Sequence, residues 1–337
     1  MIYKMEENYS VVDIQEYFNK ILDIDNESSE YNKILLMGNS GVGKSSIRYM
    51  IYYKSSQIDT YSLASTIIYV DFINFLGKRN YLIECGGENK LKKFYFDNAS
   101  KLFNKVNKFI FIIEAEESRE NKDDINENDL MYSNSLDYYE KCLQYLDQYS
   151  PNVKVFVLMN KIDLINITRR EQVIEKRKNE IKKKSGNFDV NCFPTSIWEF
   201  FDLYRIWGDI FTIELNFEKI KKYLSLLKQN LKARKIVVLE KFTFLKIYSV
   251  SDDDYVDENL EQMIFMHIKN LYNYLVDEKK RFKELEIENN NNIFIFTELT
   301  PSTLIYLIFE KPYFIELIKL NINLVKNEFI NILDNYK

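Results

Sequence analysis

Residues Gly38 to Ser45 read GNSGVGKS and match the spacing G-x-x-x-x-G-K-[ST]. Each position has a physical task. Glycines let a loop turn so tightly that successive backbone N–H groups converge on an anion, here those of Asn39, Ser40, Gly41, Val42 and Gly43. A helix opening at Lys44 would aim its positive end at the same anion, with the N–H groups of Ser45 and Ser46. The Lys44 ammonium would reach the β- and γ-phosphates, and the Ser45 hydroxyl is the hard oxygen ligand that Mg²⁺ favours. This chemistry belongs to a nucleoside triphosphate with its magnesium ion.

A second group reads the base. Behind the apolar run VFVLM comes NKID, Asn160 to Asp163. In N-K-x-D the carboxylate accepts two hydrogen bonds from the N1–H and 2-amino groups of guanine, a paired donor that adenine lacks. Asp163 is therefore the guanine reader, Asn160 holds the loop and faces the N7/O6 edge, and the Lys161 stem packs over the purine. Ser196 and Ile197, after the last strand-like run, stand where backbone amides would meet the base. The expected ligands are GTP and GDP.

Between these groups lie the candidate γ-phosphate sensors. Thr66, in LASTIIYV, is placed to bring a hydroxyl to Mg²⁺ in the triphosphate state. The segment ECGGE, Glu84 to Glu88, stands where a GTPase reads D-x-x-G-Q. There Asp assists the ion, Gly offers its N–H to the γ-phosphate and Gln orients the attacking water. Gly86 and Gly87 fit; Glu84 is one methylene longer than Asp, and Glu88 puts a carboxylate where the amide belongs. A carboxylate cannot donate to phosphoryl oxygens, and the γ-phosphate repels it. Slow intrinsic hydrolysis is the expectation, with Lys44, Thr66 and Glu88 as the residues nearest the chemistry. The alternative is that Glu88 is simply exposed and another group, or a partner's arginine, handles the water.

Composition supports this choice of chemistry by exclusion. The 337 residues include one histidine, His267, and three scattered cysteines, Cys85, Cys142 and Cys192. His-based triads, His-ligated zinc, metal knuckles and disulfide frameworks are therefore not expected. With 46 Lys+Arg against 51 Asp+Glu, the net charge of -5 argues against non-specific nucleic-acid binding. No apolar stretch approaches the roughly 18 residues of a membrane span. The N-terminus lacks an apolar signal region and a Gly at position 2, and the C-terminus lacks a Cys. A soluble, cytoplasmic chain without its own lipid anchor is expected.

These residues need elements to hold them. From residue 33 short apolar strands (33–37, 67–72, 79–84, 108–114, 153–159 and 191–195) alternate with helical patterns near 45–54, 90–105, 135–148, 169–185 and 198–212. Runs such as ILLM and FIFII suit strands covered on both faces, and the alternation predicts an α/β fold with a doubly wound, mostly parallel sheet. After about 214 the pattern changes to a helix (218–233), adjacent strands (235–240 and 242–250), a long helix to about 285, a strand pair (293–298 and 303–309) and a closing helix from 312. Strand pairs flanked by helices predict a smaller α+β domain with an antiparallel sheet. The expected domains are an N-terminal extension at 1–32 with an amphipathic helix over 11–22, a Ras-like domain at 33–214 and the α+β domain at 215–337. The acidic, Asn-rich stretch at 114–130 reads as a solvated insertion, and the basic cluster Arg169 to Lys184, with its interleaved Glu, as a solvated helix face.

With GNSGVGKS, LASTI, ECGGE, SPNVKVFVLMNKIDL and FPTSIW in view, the chain resembles the Rag GTPases, in particular the Rag A/B branch. The matching stretches are Ser65–Ile67, Glu84–Glu88, Ser150–Lys154 and Thr195–Trp198. The resemblance implies a P-loop NTPase domain followed by a roadblock-type dimerisation domain, and a heterodimer with a Rag C/D-like GTPase. It further implies scaffold and target-of-rapamycin complex components as partners, amino-acid sufficiency as the signal, and recruitment to the cytosolic face of the lysosome or vacuole. Glu84, Glu88, the insertion and the N-terminal extension depart from the family pattern. A constitutively GTP-bound scaffold and a Ras/Arf-like vesicle-transport GTPase remain as alternative readings.

Overall fold

In β1 (Tyr31–Gly38) the run Ile34–Met37 is wholly shut from solvent, as a central parallel strand requires. The computed structural model describes residues 31–52, 60, 68–116, 134–213, 215, 217–252, 258–277, 284–288, 291–311 and 315–334. The expected helix at 11–22, Thr66, and most of the expected insertion lie outside the described residues.

With β2 (Ile68–Phe75), β3 (Lys78–Cys85), β4 (Val106–Glu114), β5 (Lys154–Asn160) and β6 (Val190–Pro194), β1 builds a six-stranded sheet in the order β2-β3-β1-β4-β5-β6. β1 pairs in parallel with β3 and β4, β4 with β5, and β5 with β6. A two-residue turn, Leu76–Gly77, joins β2 to β3, and both residues take positive φ, the geometry of a tight hairpin. Helices α1 (Lys44–Tyr52), α2 (Asn89–Asp97), α3 (Ser135–Tyr149) and α4 (Ile167–Lys184) cover this sheet. Aromatic rings fill one layer: Phe111 meets Tyr138 and Tyr139 with ring centres 5.5 and 5.2 Å apart. β1 lies between β3 and β4, so its carboxyl end opens at the point where strand order reverses, the usual ligand crevice of such sheets.

The helix expected over 90–105 is broken. α2 stops at Asp97, where the Asn98 amide side chain donates to the Phe94 carbonyl, and a separate four-residue turn, Ala99–Leu102, follows. On α4 only Arg177 and Ile181 are buried, and pairs such as Lys178–Glu175 and Lys184–Glu140 spread over its surface, as a solvated face should.

By contact the chain divides into two compact units, residues 1–74 with 78–200, and 75–77 with 201–337. The second unit takes in nearly all of α5 (Phe200–Thr212), one helix earlier than the division drawn at 214 from the sequence. It continues with α6 (Phe217–Leu231), β7 (Lys235–Glu240), β8 (Lys246–Ser251), α7 (Glu258–Asp277), β9 (Glu284–Glu288), β10 (Asn292–Thr300), β11 (Thr303–Glu310) and α8 (Ile315–Phe329). Its five strands are ordered β8-β7-β11-β10-β9 and antiparallel at every pairing, with α6 and α8 packed together. This is the smaller α+β layout with an antiparallel sheet.

Two expectations fail here in detail. The long helix does not run to 285: it ends at Asp277, and ELEIE forms β9 instead. Its Glu/apolar alternation has period two, and Leu285 and Ile287 pair with Phe296 and Phe294 of β10. The strand expected from 242 starts only at Lys246, because a turn occupies the preceding residues. In that turn the buried Glu240 carboxylate accepts from the Phe242 and Thr243 N–H groups and the Thr243 hydroxyl. His267 is exposed on α7. Among the described residues no helix is long and apolar enough to cross a membrane.

Burial pushes the Glu240 carboxyl up to about 7, against the pull of those hydrogen bonds. Folding therefore favours the protonated acid, and stability is lost as pH rises from the ordinary value of 4.5 towards 7, then levels. Glu240→Gln, which keeps an accepting oxygen, is expected to flatten that decline when urea unfolding is followed at pH 5 and above pH 7; an unchanged slope would count against the buried-acid account.

Candidate nucleotide site

A cavity of about 480 Å³ opens in the first unit at the carboxyl ends of its strands. Its lining brings together Ser40, Gly41, Gly43, Lys44, Ser45 and Ser46 from the loop after β1, Glu84, Gly86 and Gly87 from the end of β3, Asn160, Lys161 and Asp163 behind β5, and Ile197 beyond β6. Four segments far apart in sequence thus meet in one place.

Within the loop the Lys44 Nζ donates to the Gly38 and Asn39 carbonyls, at 2.9 and 2.8 Å. Burial pulls its pKa down to about 8, with the Glu84 charge opposing. Glu84 is fully buried and splits its carboxylate between two donors: the Ser45 hydroxyl gives to Oε1 at 2.5 Å, and the Arg48 Nε gives to Oε2. The Arg48 guanidinium lies over the Tyr69 ring at 3.7 Å, so α1, β2 and β3 are pinned at one point. Gly87 sits directly on the loop. Its carbonyl accepts from the Ser40 N–H at 3.2 Å, and a Cβ on Gly87 would lie 2.1 Å from the Ser40 nitrogen.

The loop behind β5 is tied to the same framework. The Asn160 amide donates to the Val42 carbonyl at 2.8 Å, and its oxygen accepts from the Thr195 hydroxyl at 3.2 Å. The close fit requires Gly43: a Cβ there would stand 2.5 Å from the Asn160 nitrogen, and its φ of +98 already belongs to glycine. Lys161 takes the left-handed φ of +64, and its ammonium pairs with Glu114 at 2.5 Å. The Asp163 carboxylate accepts from the Ser196 hydroxyl at 2.5 Å, and the Ser196 oxygen in turn accepts from the Trp198 N–H at 3.1 Å.

Several sequence-derived residues serve from behind the lining. The Asn39 side chain turns towards α2, Val42 is buried beneath the loop, and Ser196 reaches the cavity through Asp163. Glu88 stands at the N-terminal end of α2, paired with Lys90 at 3.1 Å. Sequence reading did not single out Arg48, Lys92, Thr60 or Leu164. Thr60 and Leu164, with Trp198, line the cavity. The legible signal for Lys92 was helical spacing, since it shares the buried face of α2 with Leu91, Tyr95 and Phe96. Arg48 had the same signal, between Ile47 and Ile51 on the buried side of α1.

A glycine-rich G-x-x-x-x-G-K-S loop between a parallel strand and a helix, joined through Asn160 to the NKID loop in this strand order, is the layout of a P-loop GTPase domain. Residues 33–286 match the Gtr1/RagA G protein conserved region. The chain belongs to that family of G proteins, on the Rag A/B-like side. It is 31% identical over 301 residues to the GTP-binding protein GTR1 of Saccharomyces cerevisiae, covering 83% of this chain and 92% of that one. It is 28% identical over 284 residues to the Ras-related GTP-binding protein A of Dictyostelium discoideum, covering 83% and 90%.

Gly43→Ala is expected to force the loop off Asn160 and weaken GDP binding by at least about tenfold, since both the φ and the 2.5 Å approach forbid a Cβ. Equilibrium titration with a fluorescent GDP analogue checks this; unaltered affinity would contradict the geometry.

Proposed function

We propose that this chain is a slowly hydrolysing guanine-nucleotide switch that works as the Rag A/B-like half of a heterodimer. The observation that carries the reading is Glu88 at the end of a segment seated against the phosphate loop through Gly87 and Ser40. In this reading the loop amides and Lys44 hold the phosphates, Asp163 reads guanine with Asn160 holding its loop, and Ser196 and Ile197 close over the base. Phosphoryl transfer to water then depends on positioning and charge rather than on a covalent intermediate. Glu88 repels the γ-phosphate and orients water poorly, so turnover is slow.

Mg²⁺ fits the donor set. Ser45 and Glu84 present hard oxygens side by side, and among the described residues no group of three or more His, Cys, Asp or Glu forms an all-protein metal cage. A few protein oxygens with phosphates and water is how this ion is commonly held. Ser45 and Thr66 would be direct ligands, with Glu84 steadying the shell. When bound, the ion offsets charge on the β- and γ-phosphates.

The partner would be a Rag C/D-like GTPase, engaged through the second unit. The signal would be amino-acid sufficiency passed to the target-of-rapamycin complex, with a scaffold holding the pair at the lysosomal or vacuolar surface. Family membership and the antiparallel second unit support this reading. They also disfavour a Ras/Arf-like vesicle-transport role.

Two measurements test the assignments. Glu88→Gln should raise the single-turnover rate of GTP hydrolysis by about tenfold or more, and a variant no faster than the parent would remove Glu88 as the brake. Asp163→Asn should exchange preference from GTP towards xanthosine triphosphate in a competition assay. Retained preference for GTP would show that another group reads the base. Co-purification of a second Rag-like chain tests the heterodimer.

A further inference from the structure

Lys92 occupies a core position on α2, with 1% of its surface exposed, although it carries an ammonium group. Its Nζ donates to the side-chain oxygens of Asn39 at 2.7 Å and Asn89 at 3.0 Å, and stands 4.5 Å from the centre of the Tyr138 ring on α3. Asn39 is also the residue whose main-chain carbonyl takes the Lys44 Nζ at 2.8 Å. One residue at the start of the phosphate loop thus accepts from two buried lysines, one on each oxygen.

We propose that Lys92 is a positioning residue of the nucleotide site that registers occupancy of the phosphate loop: it ties α2 to the loop through Asn39, and it takes up a proton from solvent when nucleotide phosphates offset the charge of Lys44. The proposal rests on the nucleotide-site reading and adds a residue that reading does not use.

The surroundings support it. Burial, and next the charge of Lys44, bring the Lys92 ammonium down to about 7. Among the described residues, Tyr138 and Cys142 on α3, Cys85 at the end of β3, and Tyr95 on its own helix also stand in this region; burial raises all four, so they stay neutral. Glu88, at the start of α2, is held by Lys90 at 3.1 Å. After burial, the Lys44 charge beside Asn39 is what lowers the Lys92 ammonium, and phosphates bound at Lys44 relieve that repulsion. Binding a nucleotide and binding a proton at Lys92 then favour each other, since linkage is reciprocal.

The test is equilibrium binding of fluorescent GDP to the full chain at fixed magnesium, from about pH 7 to about pH 9. Lys44 titrates in every variant, so the quantity read is a ratio. Lys92→Arg keeps its charge throughout, and its affinity relative to the parent should grow by about tenfold over that range. Lys92→Met has no charge to lose, and its disadvantage against the parent should shrink by a similar factor. Ratios that stay constant with pH for both variants would overturn the proposal, as would a ratio moving the opposite way; a purely structural lysine would shift affinity equally at every pH. A parent chain that binds no GDP at any pH would instead overturn the nucleotide-site reading itself.

Discussion

Buried positive charge is the constraint around which the first unit is arranged. Lys44, Arg48 and Lys92 are each nearly shut from water within one small region. Among the described residues beside them, Glu84 is the buried carboxylate that answers this charge, and it is shared between Arg48 and Ser45. Removing ions from water is unfavourable unless they are paired or richly hydrogen-bonded, and here the carbonyls of Gly38 and Asn39 and the Asn39 and Asn89 side chains supply much of the compensation. A polyphosphate entering the loop would complete the pairing. The site is built short of anions, and its ligand is an anion.

The close packing of the loop follows from the same constraint. Amides can converge on a phosphate only if the backbone comes near, and near approach excludes Cβ atoms at Gly43 and Gly87. Those two bare positions let Asn160 reach the Val42 carbonyl and let the segment after β3 rest on Ser40. The NKID loop and the ECGGE segment are thereby both joined to the loop after β1. Both carboxylate oxygens of Glu84 are held, one by the Ser45 hydroxyl and the other by Arg48. The guanidinium is itself steadied against Tyr69, so the Glu84 side chain keeps a defined position.

Much of this was legible in the linear chain. GNSGVGKS and NKID were legible as motifs because their chemistry is local, glycines, amides and one carboxylate within a few residues, and both line one cavity. The strands of the first sheet were legible because runs such as ILLM and VFVLM are apolar on both faces. β9 was missed, and its first residues were drawn into the helix expected to about 285, because the pattern before it has helical period and only pairing with β10 gives a five-residue strand its hydrogen-bond partners. The break at Asn98 and the turn held by Glu240 were hidden for a related reason, since each depends on a side chain bonding to the backbone.

The scarcity of histidine and cysteine, the phosphate loop, the guanine loop and the alternation of strands with helices were determined by the sequence by itself, because each rests on residue type and short-range spacing. Which charges meet was decided by the tertiary structure. That Arg48 would hold Glu84, that Asn160 would brace the loop, and that Lys92 would reach Asn39 depended on the parallel register of β1 with β3 and β4 and on the way α2 lies beside the loop. The balance of buried charge is set by distances of a few ångströms between segments far apart in the chain, and no local pattern encodes such distances.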